Sequence, residues 1–330
     1  MGFEMQDVER KVFYILKILN DTQEALGARV IARHLKDYGL ELGERAVRYH
    51  LRLMDEQGLT QLIGRDGRLI TESGIKELRS ALVKDKVGFS ISRIELLAFH
   101  TNFDLDKHTG LVPVNISFFP KEDFKKALQA MKPAFAAGLC VSDLVAVAQE
   151  GETLGELTVR QDKVALATVC SVVINGTLLK AGVPVDSRFA GILQIRNHQP
   201  LRFVELIHYA GSSIDPSKIF IRARMTSVSE AAKKGDGRIL ANFREIPAPC
   251  RPIAEEVVAK LKEAGLGGLL VMGATSEPVC GIPVELARIG MVLLGGLNPV
   301  AAAKEAGIEV ENDAMGTIIE YQSLVKFSEI

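Results

Sequence analysis

Hydrophobic and polar positions along the chain change rhythm near residue 80. Before it, apolar residues recur at helical spacing among many charges. After about Gly110 they gather into short Val, Ile, Leu and Ala runs broken by glycine and proline. Val8, Val12, Ile15 and Leu19 fall at i, i+4, i+7 and i+11 and predict a helix over about 5–20. Ala28, Ile31, Leu35 and Tyr38 predict a second, shorter helix, closed by Gly39 as a left-handed cap. A third, over about 44–57, carries two stripes. Val47, Leu51 and Met54 form one face, and Arg45, Arg48, Tyr49 and Arg52 lie on the opposite side at about 100° per residue. Gly58 stops this helix.

Two short β-like runs follow, 59–63 and 68–71, around Arg65-Asp66-Gly67-Arg68. An Asp-Gly pair between apolar runs predicts a tight hairpin, because the turn needs positive φ at both central positions. Three helices and a hairpin is the winged helix-turn-helix order. A helix that enters the major groove must show donors outward while an apolar stripe holds it to its domain. Arg45, Arg48, Tyr49 and Arg52 meet the first condition. Arg65 and Arg68, flanking the hairpin turn, would reach phosphate or the minor groove. Three arginines on a helix face are more often simply solvated. Their place on the third helix, just before an Arg-flanked hairpin, favours DNA. Glu41, Glu44, Asp55 and Glu56 dilute the positive potential, which predicts modest affinity per module and a need for a dimer.

Beyond residue 110, strand-like runs (164–174, 219–224, 268–271, 291–294) alternate with helical ones (122–131, 253–264, 300–306). Such alternation predicts an α/β domain over 110–330, behind a winged helix over 1–80 and a helical linker over 81–109, with helices at 77–86 and 92–99. Gly182-Val183-Pro184-Val185 with Gly191 echoes Gly281-Ile282-Pro283-Val284 with Gly290. Duplication, which would set equivalent loops facing one another around a ligand cleft, and chance similarity are the two explanations.

The global charge adds no nucleic-acid signal: formal net charge is -1, so the DNA case rests on local placement. Hydrophobic residues at 47% supply a substantial core. No signal-peptide pattern opens the chain, and the longest uncharged runs are too short and too polar to span a bilayer. Cys140, Cys170, Cys250 and Cys280 form no C-x-x-C pair and predict reduced thiols in a cytoplasmic protein. The histidines lack metal-ligand spacing, and neither a P-loop nor a dinucleotide fingerprint occurs, so no catalytic residue, metal or cofactor is predicted.

The run 44–51 (Glu-Arg-Ala-Val-Arg-Tyr-His-Leu) with Gly58-Leu59 resembles the recognition helix of a bacterial and archaeal winged-helix regulator. The phrases 237–247 (Gly-Arg-Ile-Leu-Ala-Asn-Phe-Arg-Glu-Ile-Pro), 281–284 with Gly290, and 295–299 (Gly-Gly-Leu-Asn-Pro) resemble the NrpR-type nitrogen regulatory repressor family over essentially the whole chain. The resemblance implies a homodimeric repressor of nitrogen-assimilation genes, released from operator DNA by 2-oxoglutarate. Many archaeal members carry two tandem regulatory domains; this chain has room for one. A dicarboxylate needs two anion holders and a donor for its keto group. On chemistry alone the candidates are Arg188, Arg222, Arg224, Arg244, Thr275, Ser276 and Asn298. The alternatives are an α/β metabolic enzyme tethered by its winged helix, and a winged helix that contacts RNA or protein.

Overall fold

The computed structural model describes residues 2–22, 24–64, 67–80, 88–155 and 157–330; for 2–9, 79 and 80 it describes the backbone alone. Val8 and the Arg65-Asp66 turn of the sequence reading therefore lie outside the described side chains, as does the 81–86 part of the expected 77–86 helix. The chain divides into two compact units, Met1–Val87 with Glu156–Thr158, and Gly88–Gly155 with Val159–Ile330.

The first unit contains α1 (Gly2–Thr22), α2 (Ala28–Asp37), α3 (Glu44–Glu56), strands β1 (Thr60–Ile63) and β2 (Gly67–Ile70), and α4 (Glu72–Ser80). Its core collects Ile15, Leu16 and Leu19 of α1, Ile31 and Leu35 of α2, and Val47, Leu51 and Met54 of α3. Each contributes about 1.5–3 kcal/mol by leaving water, which outweighs helix propensity and fixes which face turns inward. Gly39 and Gly58, both at φ 70°, end α2 and α3 as the sequence predicts. The wing differs in detail from the expected hairpin. Ile63 pairs with Gly67, so Gly67 opens the returning strand and is not a central turn residue. At φ 124° its backbone runs against Leu26, where a Cβ would sit 2.2 Å from a carbonyl carbon. That close approach lets Leu26 pair with Arg68 as a third short strand.

The second unit opens with α5 (Phe89–His100). This helix lies in the segment expected as a linker, yet its Ile94, Leu97 and Ala98 are buried against Cys170, Val172, Ala190, Tyr209 and Met315 of the same unit. There follow β3 (Leu111–Pro120), α6 (Phe124–Ala136), β4 (Leu144–Ala148), β5 (Thr153–Leu154), β7 (Lys163–Val169), α7 (Val172–Lys180), β8 (Asp186–Arg196) and β9 (Gln199–His208), while the intervening β6 (Leu157–Thr158) belongs to the first unit. Helices α8 (Pro216–Arg222) and α9 (Val228–Lys234) precede β10 (Gly237–Pro247), α10 (Arg251–Glu263), β11 (Leu269–Thr275), β12 (Arg288–Leu294), α11 (Asn298–Glu305), β13 (Glu311–Glu320) and β14 (Val325–Lys326). The strand expected over 219–224 is the end of α8. Asp215 accepts the Ser217 amide at 2.8 Å and Pro216 supplies the first helical φ, and this start signal overrides the alternation of Ile219, Ile221 and Ala223. The run 164–174 splits into β7 and the first turn of α7.

Two five-stranded antiparallel sheets result, ordered β11-β12-β10-β8-β9 and β13-β3-β7-β4-β14. The element order β3-α6-β4-β7-α7-β8 recurs as β10-α10-β11-β12-α11-β13, so the unit is an internal repeat. Matching residues follow: Gly110 and Gly237, Asn115 and Asn242, Pro120 and Pro247, Gly191 and Gly316. Cys170 N donates to Pro113 O at 2.9 Å, and the equivalent Gly295 N donates to Leu240 O at 2.9 Å. The register differs from the Gly-x-Pro-Val echo. Gly182 follows α7 at φ 80° and corresponds to Gly307, which follows α11 at φ 85°, whereas Gly281 lies between β11 and β12. The last strand of each repeat joins the sheet of the other, β8 beside β10 and β13 beside β3.

Candidate functional site

In the first unit, α3 separates its two stripes as its sequence requires. Val47, Leu51 and Met54 are fully buried, and Arg45, Arg48, Tyr49 and Arg52 are exposed. The Arg48 and Arg52 side chains are 69% and 67% exposed. Each has an acidic neighbour on its own helix: Arg48 bonds Glu44, and Arg52 lies 3.7 Å from Glu56. Such exposed i,i+4 pairs contribute a few tenths of a kcal/mol and yield readily to a phosphate. Arg52 also lies over the Tyr49 ring, 5.9 Å from its centre. Arg68 is placed differently from the wing-tip role expected of it. Its Nε donates to Asp55 Oδ2 at 2.8 Å, and Thr60 Oγ1 bonds the other oxygen of that carboxylate at 2.6 Å. This clip fastens the wing to the end of α3. Arg65 lies outside the described residues.

In the second unit the chemistry converges on a small cavity at the junction of the two repeats. Its walls pair equivalent segments: Asn115 of β3 with Asn242 of β10, and the β7–α7 turn at Cys170-Ser171 with the β12–α11 turn at Gly295-Gly296. Two helix N-termini, those of α7 and α11, therefore open onto one space. Unpaired N–H groups at a helix start carry partial positive charge.

Arg244 breaks the equivalence of the walls; the matching position on β3 is Ser117. Its side chain is 1% exposed. The guanidinium donates through Nη1 to Ser171 O and through Nη2 to Ser171 Oγ, both at 2.9 Å, and Nε–H has no partner among the described residues. Among the described residues no carboxylate forms an ion pair with it, and burial pulls its pKa below the usual arginine range. A buried guanidinium without a counter-charge costs several kcal/mol of desolvation, which an entering anion would recover.

The donors continue around it. Asn242 Nδ2 donates to Ser171 Oγ at 3.1 Å, and Tyr209 Oη donates to Asn242 Oδ1 at 2.6 Å. Ser171 Oγ thus accepts twice, from Arg244 and from Asn242, and keeps its own proton to give. Burial pushes the Tyr209 phenol above its usual range and the Cys170 thiol up to about 11, so both stay protonated at neutral pH. Asp215, at the start of α8, also lines the cavity, and burial raises its pKa against the pull of Lys218.

The candidate effector residues separate here. Arg244 alone among them lines the cavity. Arg188 is engaged by Asp186, Glu245 and Glu285 at the end of its sheet. Arg222 and Arg224 are exposed at the end of α8, where a helix replaces the expected shared strand face. Thr275 is exposed, and Ser276 Oγ accepts the Ala287 amide. Asn298 is wholly buried with its amide spent on Leu240, accepting from N at 2.7 Å and donating to O at 3.0 Å. Ser171, Tyr209, Asn242 and Asp215 escape sequence reasoning, although the recurring asparagine at 115 and 242 was a usable signal.

Comparison with known proteins matches residues 87–326 to a family model described as NrpR regulatory domains NRD1 and 2, and residues 13–78 to one described as ribonuclease R winged-helix domain. The global nitrogen regulator NrpRI of Methanosarcina mazei is 41% identical, covering 96% of this chain and 98% of that protein. The global nitrogen regulator NrpR of Methanococcus maripaludis is 33% identical over 94% of this chain, and that of Methanocaldococcus jannaschii 32% over 98%. The chain spans only 54% and 56% of those two longer proteins. A crystal structure of a nitrogen repressor-like protein from Methanococcus jannaschii superposes with a TM-score of 0.61 at 29% identity, covering 72% of this chain and 98% of that one.

Proposed function

Because the chain belongs to the NrpR family of nitrogen regulators, we propose that it represses nitrogen-assimilation genes as a dimer on operator DNA and lets go when 2-oxoglutarate fills the cavity beside Arg244. The observation that carries the effector reading is the buried Arg244 guanidinium, with no acidic partner among the described residues, set where the N-termini of α7 and α11 converge. A dicarboxylate suits that setting. One carboxylate would take the guanidinium and the Ser171 hydroxyl, and the other would lie toward the Gly295-Gly296 turn. The DNA reading rests on α3, whose exposed arginines stand opposite a fully buried stripe.

Release requires the effector to favour one arrangement of the protein over another. A hundredfold loss of operator affinity needs about a hundredfold tighter binding to the released form. Fluorescence anisotropy with a labelled operator duplex tests this directly. Millimolar 2-oxoglutarate should weaken binding, and glutarate, which lacks the keto oxygen, should act less strongly. Operator affinity that stays constant across the titration would remove 2-oxoglutarate as the effector. A preference for structured RNA over duplex at equal salt would remove the operator.

A further inference from the structure

The two repeats differ at one sheet edge. In the first repeat β4 is the strand beside β7, and its outer side is covered by β14, with Val325 and Lys326 paired to Val145 and Leu144. The equivalent strand, β11, has β12 on one side and, among the described residues, no strand on the other. β4 is mostly buried, whereas every residue of β11 is partly or fully exposed. The difference follows from the chain's path. After β13 the tail continues to β14, while after β8 the chain turns back as β9. Arg251 of α10 holds the Gly273 carbonyl, which leaves the outer row of Leu269–Met272 without a strand partner.

We infer that β11 is the strand through which two copies of this chain join, antiparallel about a two-fold axis, so that one sheet runs through both. The assignment rests on the dimeric reading above and names the surface for it. An antiparallel edge is self-complementary, since donors and acceptors alternate along it and a two-fold axis matches each with its opposite. The strand reads Leu-Leu-Val-Met-Gly-Ala-Thr, without a charge or a proline. Self-pairing therefore sets no like charges against one another, and the usual guards of a free edge are missing.

The other long outer strands are less suited: β13 carries Glu311, Asp313 and Glu320. β9 exposes Leu201, Val204 and Leu206, but it also carries Arg202 and Glu205, and its Phe203 amide is already taken by Cys280 O at 3.0 Å. Its outer row is interrupted at the middle.

Sedimentation equilibrium of the full chain tests the assignment, with Leu270→Lys and Ala274→Lys on β11 and Leu206→Lys on β9 as comparison. Ala274 is exposed, so its variant keeps the test open if Leu270→Lys fails to fold. The native protein should be a dimer, and each β11 variant should raise its dissociation constant about 30-fold or more, because an ammonium group would have to be desolvated in an otherwise uncharged seam. Leu206→Lys should leave the constant unchanged. A dimer that survives both β11 variants, or that Leu206→Lys breaks instead, overturns this surface alone. A native monomer at all concentrations overturns the dimeric reading together with it.

Discussion

Arginine is used in opposite ways in the two units. On α3 the guanidinium groups are solvated, lightly held by glutamates one turn away, and free to exchange partners. On β10 the Arg244 guanidinium is buried, fixed by two bonds to Ser171, and has no carboxylate partner among the described residues. Solvated charges cost little to keep and bind weakly each, so they act as a group over a long anionic surface. A buried charge is costly to keep, and the same desolvation makes it strongly selective for one small anion. The local surroundings, and not the residue type, decide which task an arginine performs.

The contrast can be broken most sharply at Arg244. Replacing it with Met should lower 2-oxoglutarate affinity at least about 100-fold, since a charge-assisted pair in a desolvated site is removed. The melting temperature without ligand should hold within a few degrees, because the two Ser171 bonds lost are offset by relief of the buried charge, which has no ion pair among the described residues. Calorimetric titration and a thermal melt read the two together, and undiminished binding would place the anion elsewhere. Next in size, Arg48→Ala or Arg52→Ala should each cost about 1–3 kcal/mol of operator affinity and leave effector binding intact. In a salt series the slope should fall by about 1 for each phosphate no longer neutralised. Arg68→Ala should act on stability, by about 1 kcal/mol in chemical denaturation, because the Asp55 clip is gone. If operator affinity drops with no change in stability, Arg68 touches DNA after all. Smallest of all, Glu44→Gln should tighten operator binding by about 0.3–0.5 kcal/mol by freeing Arg48. Weaker binding would mean that Glu44 orients Arg48 toward the duplex instead of competing for it.

The first unit was largely legible in its sequence, because helical periodicity alone decides which side of α3 is buried. Its error lay in the wing, where Gly67 is needed for close approach to Leu26 and not for the turn centre. That constraint comes from a residue far along the chain, which local turn preferences do not see. The second unit gave up its alternation of strands and helices but not its site. Arg188, Arg222, Arg224 and Arg244 are alike as letters. They differ in whether a carboxylate from a distant part of the chain reaches them, as Glu245 of β10 and Glu285 of the β11–β12 loop reach Arg188, and that is set by the tertiary fold. Asn298, an effector candidate on chemistry alone, is spent on Leu240. The duplication was sensed through its glycines but placed out of register, since Gly and Val recur at strand ends for several reasons. Hydrogen bonds equivalent in both halves, from Cys170 and from Gly295, settle the alignment.

One consequence of the exchanged strands remains. With β8 lodged beside β10, and β13 beside β3, the halves clasp each other like hooked fingers. Neither half can melt or tilt without dragging a strand out of its sibling. A molecule wedged at their crossing point is therefore felt along both sheets at once, and the whole unit should unfold in a single cooperative step whose midpoint climbs as the wedge is added.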